Sequence, residues 1–155
     1  SAKISVIPAD PHKVTEVTHN HPEGMKGATA TAVAIFLARD GVGQDDLRAY
    51  IAKAFGYDMR RTIDEIRPDY RFNETCQDTV PQALTCAFEA DSFEDALRNA
   101  ISIGGDSDTI GAIAGGVAEA LFGIPDDIAE RGWRYLPQEM REVLTKLYMS
   151  VGKRL

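Results

Sequence analysis

An all-α domain of orthogonally packed helices is the fold this sequence predicts, on three observations. Apolar residues recur at helical spacing in about seven segments, which is the period of an amphipathic helix rather than of a strand. Strand signals are nearly absent, and the one β-prone stretch, ISVIPADPH, is broken by Pro8 and Pro11. Glycine, proline and capping residues fall between the periodic segments, where helices start and stop. There is no repeat or low-complexity tract. With 155 residues, 44% of them hydrophobic, the chain can bury one core. A single helical domain over 17–155 is expected, behind an extended or poorly ordered lead-in at 1–16.

Taken in order, His21 is held extended by Pro22 before the first helix. Gly24 to Arg39 reads as an alanine-rich helix with Val33, Phe36 and Leu37 as its bulk, ended by Gly41 and Gly43. Residues 45–55 form an amphipathic helix: Asp45 and Asp46 favour its start, Leu47, Tyr50, Ile51 and Ala54 share a face, and Gly56 stops it. One short helix fits the charged segment 57–69 before Pro68, with Arg60, Arg61, Asp64, Glu65 and Arg67 as a solvated ion-pair face. The polar run NETCQDT reads as a loop feeding a helix from about Val80 to Ala90, with Thr79 as cap and Pro81 in the first turn. Ser92, with Asp95 three positions on, opens a helix through Phe93, Ala96, Leu97, Ala100 and Ile101. Beyond Gly123, Pro125 and Asp126 start a helix carrying Ile128 and Trp133. Pro137 starts the last one, with Met140, Val143, Leu144, Leu147 and Val151 on one stripe.

The chemistry concentrates in GGDSDTIGAIAGGVAEALFG, Gly104 to Gly123. Two glycines permit a sharp turn, and Asp106, Asp108 and Thr109 then stand at the mouth of an apolar helix. Two readings compete there. One carboxylate can cap the helix and complement its dipole. Alternatively, both carboxylates and the Thr109 hydroxyl converge on a hard cation that prefers oxygen ligands. Gly111, Gly115 and Gly116 each cost about 1 kcal/mol relative to alanine, so close packing is expected to offset them. A buried helix with a solvated acidic end would make a pocket floor. His19 and His21, at i and i+2 in a loop, suit a transition metal, proton transfer or phosphate binding, or are plain surface residues; His12 is read as surface.

Charge excludes some partners. A net charge of −7 argues against binding a nucleic-acid backbone or an anionic membrane surface. No run of about 18 apolar residues is present to span a membrane. Cys76 and Cys86 lack a C-x-x-C spacing and read as reduced core residues, consistent with a cytoplasmic location.

GGDSDTIGAIAGG at Gly104 to Gly116 closely resembles the carboxyl-terminal metal motif of the ADP-ribosylglycohydrolase family. THNHPEGMKGATATAVAIFLAR, Thr18 to Arg39, resembles its mid-chain histidine segment, and the run from Phe55 through Asp64 and Pro68 to Pro81 is similar to its bacterial members. The resemblance covers about Val17 to Gly123, with the motifs in the family's order. It implies an ADP-ribosylglycohydrolase-like helical fold and a hydrolase that removes ADP-ribose from modified arginine or a related acceptor. It also implies Mg²⁺, with Mn²⁺ as the alternative and two ions in a complete member. By the resemblance Asp106 and Asp108 are catalytic and, with Thr109, ligate metal; His19, His21, Gly104, Gly105 and Gln77 contact substrate. The family's amino-terminal Thr-Asp-Asp-Thr-type motif and its Gly/Asn-rich ADP-ribose loop do not occur here, so the chain resembles the carboxyl-terminal half. The alternative is a catalytically incomplete interaction or ADP-ribose-binding module that self-associates or pairs with a separate amino-terminal chain.

Overall fold

Apolar residues at i, i+3, i+4 and i+7 have one good solution in water, helices that bury one stripe each, and the described secondary structure is entirely helical. The computed structural model describes residues 16–18, 20–72 and 75–150. The lead-in to residue 15, His12, His19, Asn73, Glu74 and Val151 lie outside them. Among the described residues eight helices follow in order: α1 (Pro22–Arg39), α2 (Gln44–Phe55), α3 (Ile63–Ile66), α4 (Cys76–Phe88), α5 (Phe93–Ser102), α6 (Ser107–Phe122), α7 (Asp126–Tyr135) and α8 (Gln138–Ser150).

The chain divides after Gly123 into two compact units. In the first, α1, α2 and α4 enclose one core, built on Val33, Leu37, Leu47, Ile51, Leu84 and Phe88. A second core, around Ile63, Ile66, Cys86, Ala100 and Ile110, joins α3, α4, α5 and α6. Helices α4 and α6 belong to both, since α4 gives Leu84 to one and Cys86 to the other, and α6 gives Val117 and Ile110. The acidic turn therefore heads a helix anchored in two cores.

Local chemistry places most boundaries. His21 caps α1, its Nδ1 accepting from Glu23 N at 3.3 Å, with Pro22 in the first turn. Helix α1 so begins at Pro22 rather than Gly24, because the cap sits one residue before the proline. Gly56, with φ +67°, closes α2. Thr62 and Glu65 form a capping box on α3, and Ser92 Oγ accepts from Asp95 N at 3.1 Å on α5. The charged face over 58–69 is paired, Arg60 with Asp58, Arg61 with Asp69 and Arg67 with Asp64.

Several expectations are corrected. Helix α4 starts at Cys76, with Thr75 at its N-cap, so the last four residues of NETCQDT are helical and Thr79 is buried inside the helix rather than capping it. Pro81 lies in the helix interior; burial of Val80, Ala83 and Leu84 outweighs the hydrogen bond it removes. Helix α6 is only partly buried: Ile110, Ala114, Val117 and Ala118 are covered, whereas Asp108, Thr109 and Ala112 face solvent. Close packing accounts for Gly115 and Gly116, whose added Cβ would lie 3.3 Å from Leu97 Cδ2 and 3.5 Å from Ile35 Cδ1, but not for Gly111, which meets nothing within 4 Å.

In the second unit, neither α7 nor α8 has a buried residue among those described. The stripe of Met140, Val143 and Leu147 is present but more than half exposed, as are Tyr135 and Met149. Among the described residues no helix is long and apolar enough to cross a membrane.

Both cysteines are free; Cys86 is buried in the core, whereas Cys76, also expected there, is half-buried. Burial pushes the Cys86 thiol up to about 12, so almost no reactive thiolate exists at pH 8. Alkylation of the folded chain should label half-buried Cys76 and spare Cys86, with peptide mass mapping as the readout. Labelling of Cys86 before unfolding would contradict its place in the core.

Candidate functional site

Helix α5 ends with Gly104 N donating to Ile101 O at 3.1 Å. Gly104 (φ +74°) and Gly105 (φ +70°) then take left-handed backbone conformations that L side chains avoid. The reversal brings Asp106 to the N-cap of α6, where its carbonyl accepts from Ile110 N at 3.0 Å. Gly105 is tight as well as turned: a Cβ there would lie 2.5 Å from Tyr70 Cε1 and 3.4 Å from the Arg71 carbonyl oxygen. The Tyr70 ring and the Arg71 backbone thus lie directly against the turn.

Asp106 occupies the cap position without making a side-chain cap bond. Asp108 Oδ1 accepts from the adjacent Thr109 N, at 3.1 Å. Hydrogen bonding to the Asp108 side chain, then to Thr109, holds the Asp106 carboxyl below the usual carboxylate range, so at neutral pH it is an acceptor rather than a proton donor. Asp106 is partly exposed, and Asp108 and Thr109 are exposed. The arrangement offers three hard oxygen donors within one turn at the positive end of a helix dipole.

That donor set suits Mg²⁺ or Mn²⁺ and contains no soft ligand. It is partial, because among the described residues no cluster of three or more His, Cys, Asp or Glu is assembled for a metal.

Gly104, Gly105, Asp106, Asp108 and Thr109 are brought together in this way. His21 and Gln77 stand instead at the amino ends of α1 and α4, both exposed, and neither hydrogen-bonds to the acidic turn. Pro81 denies the Gln77 carbonyl its i+4 donor, which leaves an acceptor at that helix end.

Residues not nominated from sequence border the turn. Tyr70, Arg71 and Phe72, with Arg61, Asp78 and Gln82, line an open cleft of about 270 Å³. Arg71 Nη1 donates to the carbonyls of Pro68 and Tyr70, each at 2.9 Å, and Phe72 is 65% exposed. The paired glycines signal that something approaches closely, but not what. A wider hollow of about 650 Å³, lined by Asp45, Arg48, Tyr57 and Arg60 among others, contains no residue of the acidic turn.

Comparison with known proteins bears on this geometry. The chain is similar to ADP-ribosylarginine hydrolase Tri1 of Pseudomonas putida (strain GB-1), 24% identical over 143 residues, covering 84% of this chain and 38% of that protein. It is 29% identical over 146 residues to the ADP-ribosyl-[dinitrogen reductase] glycohydrolase of Rhodospirillum rubrum, covering 90% and 42%. An uncharacterized protein of Archaeoglobus fulgidus is 30% identical over 149 residues, covering 85% and 48%. The chain thus spans less than half the length of each of these relatives. No solved structure matches. The family model for ADP-ribosylglycohydrolase matches residues 9–154, a stretch that holds the acidic turn, both of its glycines and the helix they head, and the chain therefore belongs to the ADP-ribosylglycohydrolase family.

Proposed function

We propose that this chain supplies the acidic, metal-binding portion of an ADP-ribosyl hydrolase that removes ADP-ribose from modified arginine or a related acceptor. The observation that carries the reading is the aspartate pair beside Thr109, in a chain of this family. Asp106, Asp108 and Thr109 would hold Mg²⁺ or Mn²⁺. A bound ion of this kind orients ribose hydroxyls and lowers the pKa of water. The protein's own part is positional. Gly104 and Gly105 turn the chain so that both carboxylates face solvent at the helix mouth, and Ile110 and Ala114 anchor that mouth in the core. His19, His21 and Gln77 remain proposed substrate contacts.

Metal-dependent release of ADP-ribose from ADP-ribosylated arginine by the purified chain tests the reading, with chelator and Asp108→Ala as controls. Release lost on chelation and in the variant is the expected result. Equal Mg²⁺ affinity in Asp108→Ala and parent would remove the metal assignment.

The exposure of Met140, Val143, Leu147 and Met149 favours a second reading. In it, the chain acts as an interaction module that pairs with its own copy or with a separate chain, covering apolar surface that a monomer leaves wet. Sedimentation as a clean monomer that binds no hydrophobic dye would sink this reading.

A further inference from the structure

The turn that presents Asp106 has little of its own to hold its shape. Gly104 and Gly105 bring no side chain, and both take positive φ. Glycine pairs have many accessible backbone states, so the one adopted here is selected by what packs against them. At Gly104 a Cβ would meet nothing within 4 Å. At Gly105 it would meet Tyr70 Cε1 at 2.5 Å, Tyr70 Cδ1 at 3.1 Å and the Arg71 carbonyl oxygen at 3.4 Å. The outside support of the turn therefore comes from one short stretch, the arm that follows α3.

That arm is itself tied down. Asp69 N and Tyr70 N both donate to Ile66 O, at 3.1 and 2.9 Å, and Ile66 is 1% exposed in the second core. The exposed Arg71 side chain folds back on the arm, its Nη1 clasping the Pro68 and Tyr70 carbonyls. The half-buried Tyr70 ring packs against the core that holds Ile110, whose N donates to Asp106 O. Arm and acidic turn thus stand on one base, and the Tyr70 ring fills the space between them.

We propose that Tyr70 and Arg71 are positioning residues for the acidic turn: the Tyr70 ring, steadied by the Arg71 clasp, buttresses Gly105 and so fixes how the Asp106 and Asp108 carboxylates are presented to a divalent cation. This role rests on the metal assignment proposed for Asp106, Asp108 and Thr109. Neither side chain ligates the ion; both act through the backbone of the turn. Loss of a residue that orients metal ligands typically weakens metal affinity by about 10–100-fold.

Mn²⁺ binding to the purified chain, read from the EPR signal of the free ion, tests the role. Tyr70→Ala should weaken binding by about 10–100-fold, whereas Tyr70→Phe, which keeps both ring carbons that face Gly105, should bind as the parent does. Arg71→Ala alters an exposed side chain outside the core, so it should fold even where Tyr70→Ala does not, and it should weaken binding by a smaller factor. Ile51→Val, in the other core, should lower Tm and leave Mn²⁺ affinity unchanged, which separates lost positioning from lost stability. In the metal-free chain, amide exchange at Thr109 and Ile110 should quicken in Tyr70→Ala and Arg71→Ala but not in Ile51→Val. Parent-like Mn²⁺ affinity in Tyr70→Ala and Arg71→Ala would overturn the positioning role and leave the metal assignment standing. Equal losses in Tyr70→Phe and Tyr70→Ala would overturn the ring as the buttress. A parent chain that binds no Mn²⁺ would remove the metal assignment, and the positioning role with it.

Discussion

Gly105→Ala is expected to destabilise the chain by about 2–4 kcal/mol, combining a left-handed backbone that alanine resists with a Cβ driven into the Tyr70 ring. For a chain of this size that lowers Tm by about 5–12 °C. Two other glycines make the result diagnostic. Gly104 shares the positive φ but has open space beyond it, so alanine there should cost only the conformational part, about 1–2 kcal/mol. Gly111 is helical with nothing within 4 Å, and Gly111→Ala should stabilise by about 1 kcal/mol. Thermal melts of the three variants check the order, and a Gly105→Ala protein melting with the parent would show that Tyr70 does not pack as described. The same variant should weaken any metal-dependent ligand binding, because Tyr70 and the turn cannot both keep their places.

The second large effect lies at Glu89, which joins three elements through one carboxylate. Its Oε1 accepts from Arg48 Nη2 at 2.9 Å and its Oε2 from Ile63 N at 2.8 Å, while Arg48 Nη1 donates to the Met59 carbonyl at 2.8 Å. The two side chains are 25% and 22% exposed, which moderates the energy of the pair relative to a fully buried one. Glu89→Ala strands the Ile63 N–H and one arm of Arg48, and should cost about 2 kcal/mol in urea unfolding. Glu89→Gln keeps one acceptor oxygen and should cost less. If both variants unfold with the parent, the carboxylate is not what holds α3 to the end of α4.

How much of this was legible beforehand follows from where the physics is local. The caps at Ser92 and Gly56, the short helix before Pro68, the paired charges over 58–69 and the acidic turn after two glycines each depend on a few neighbouring residues. The start of α4 is not legible locally, because Pro81 signals a first turn, whereas burial of Thr79, Val80 and Leu84 carries the helix back to Cys76. Composition alone predicts a packing role for Gly111. What lies opposite a glycine is a property of another helix, and here nothing does.

Periodicity, turn residues and motif order are all written along one dimension, so the helical class, the family resemblance and the run of oxygen-bearing side chains at Asp106, Asp108 and Thr109 are legible without coordinates. Tertiary packing decided that the Asp106 side chain makes no cap bond, that Tyr70 is the side chain pressed against Gly105, that Lys26 lies over the Tyr57 ring, and that the apolar stripe of α8 stays open to solvent. These are relations between residues distant in the chain, and they arise when burial of one apolar stripe against another selects which surfaces meet.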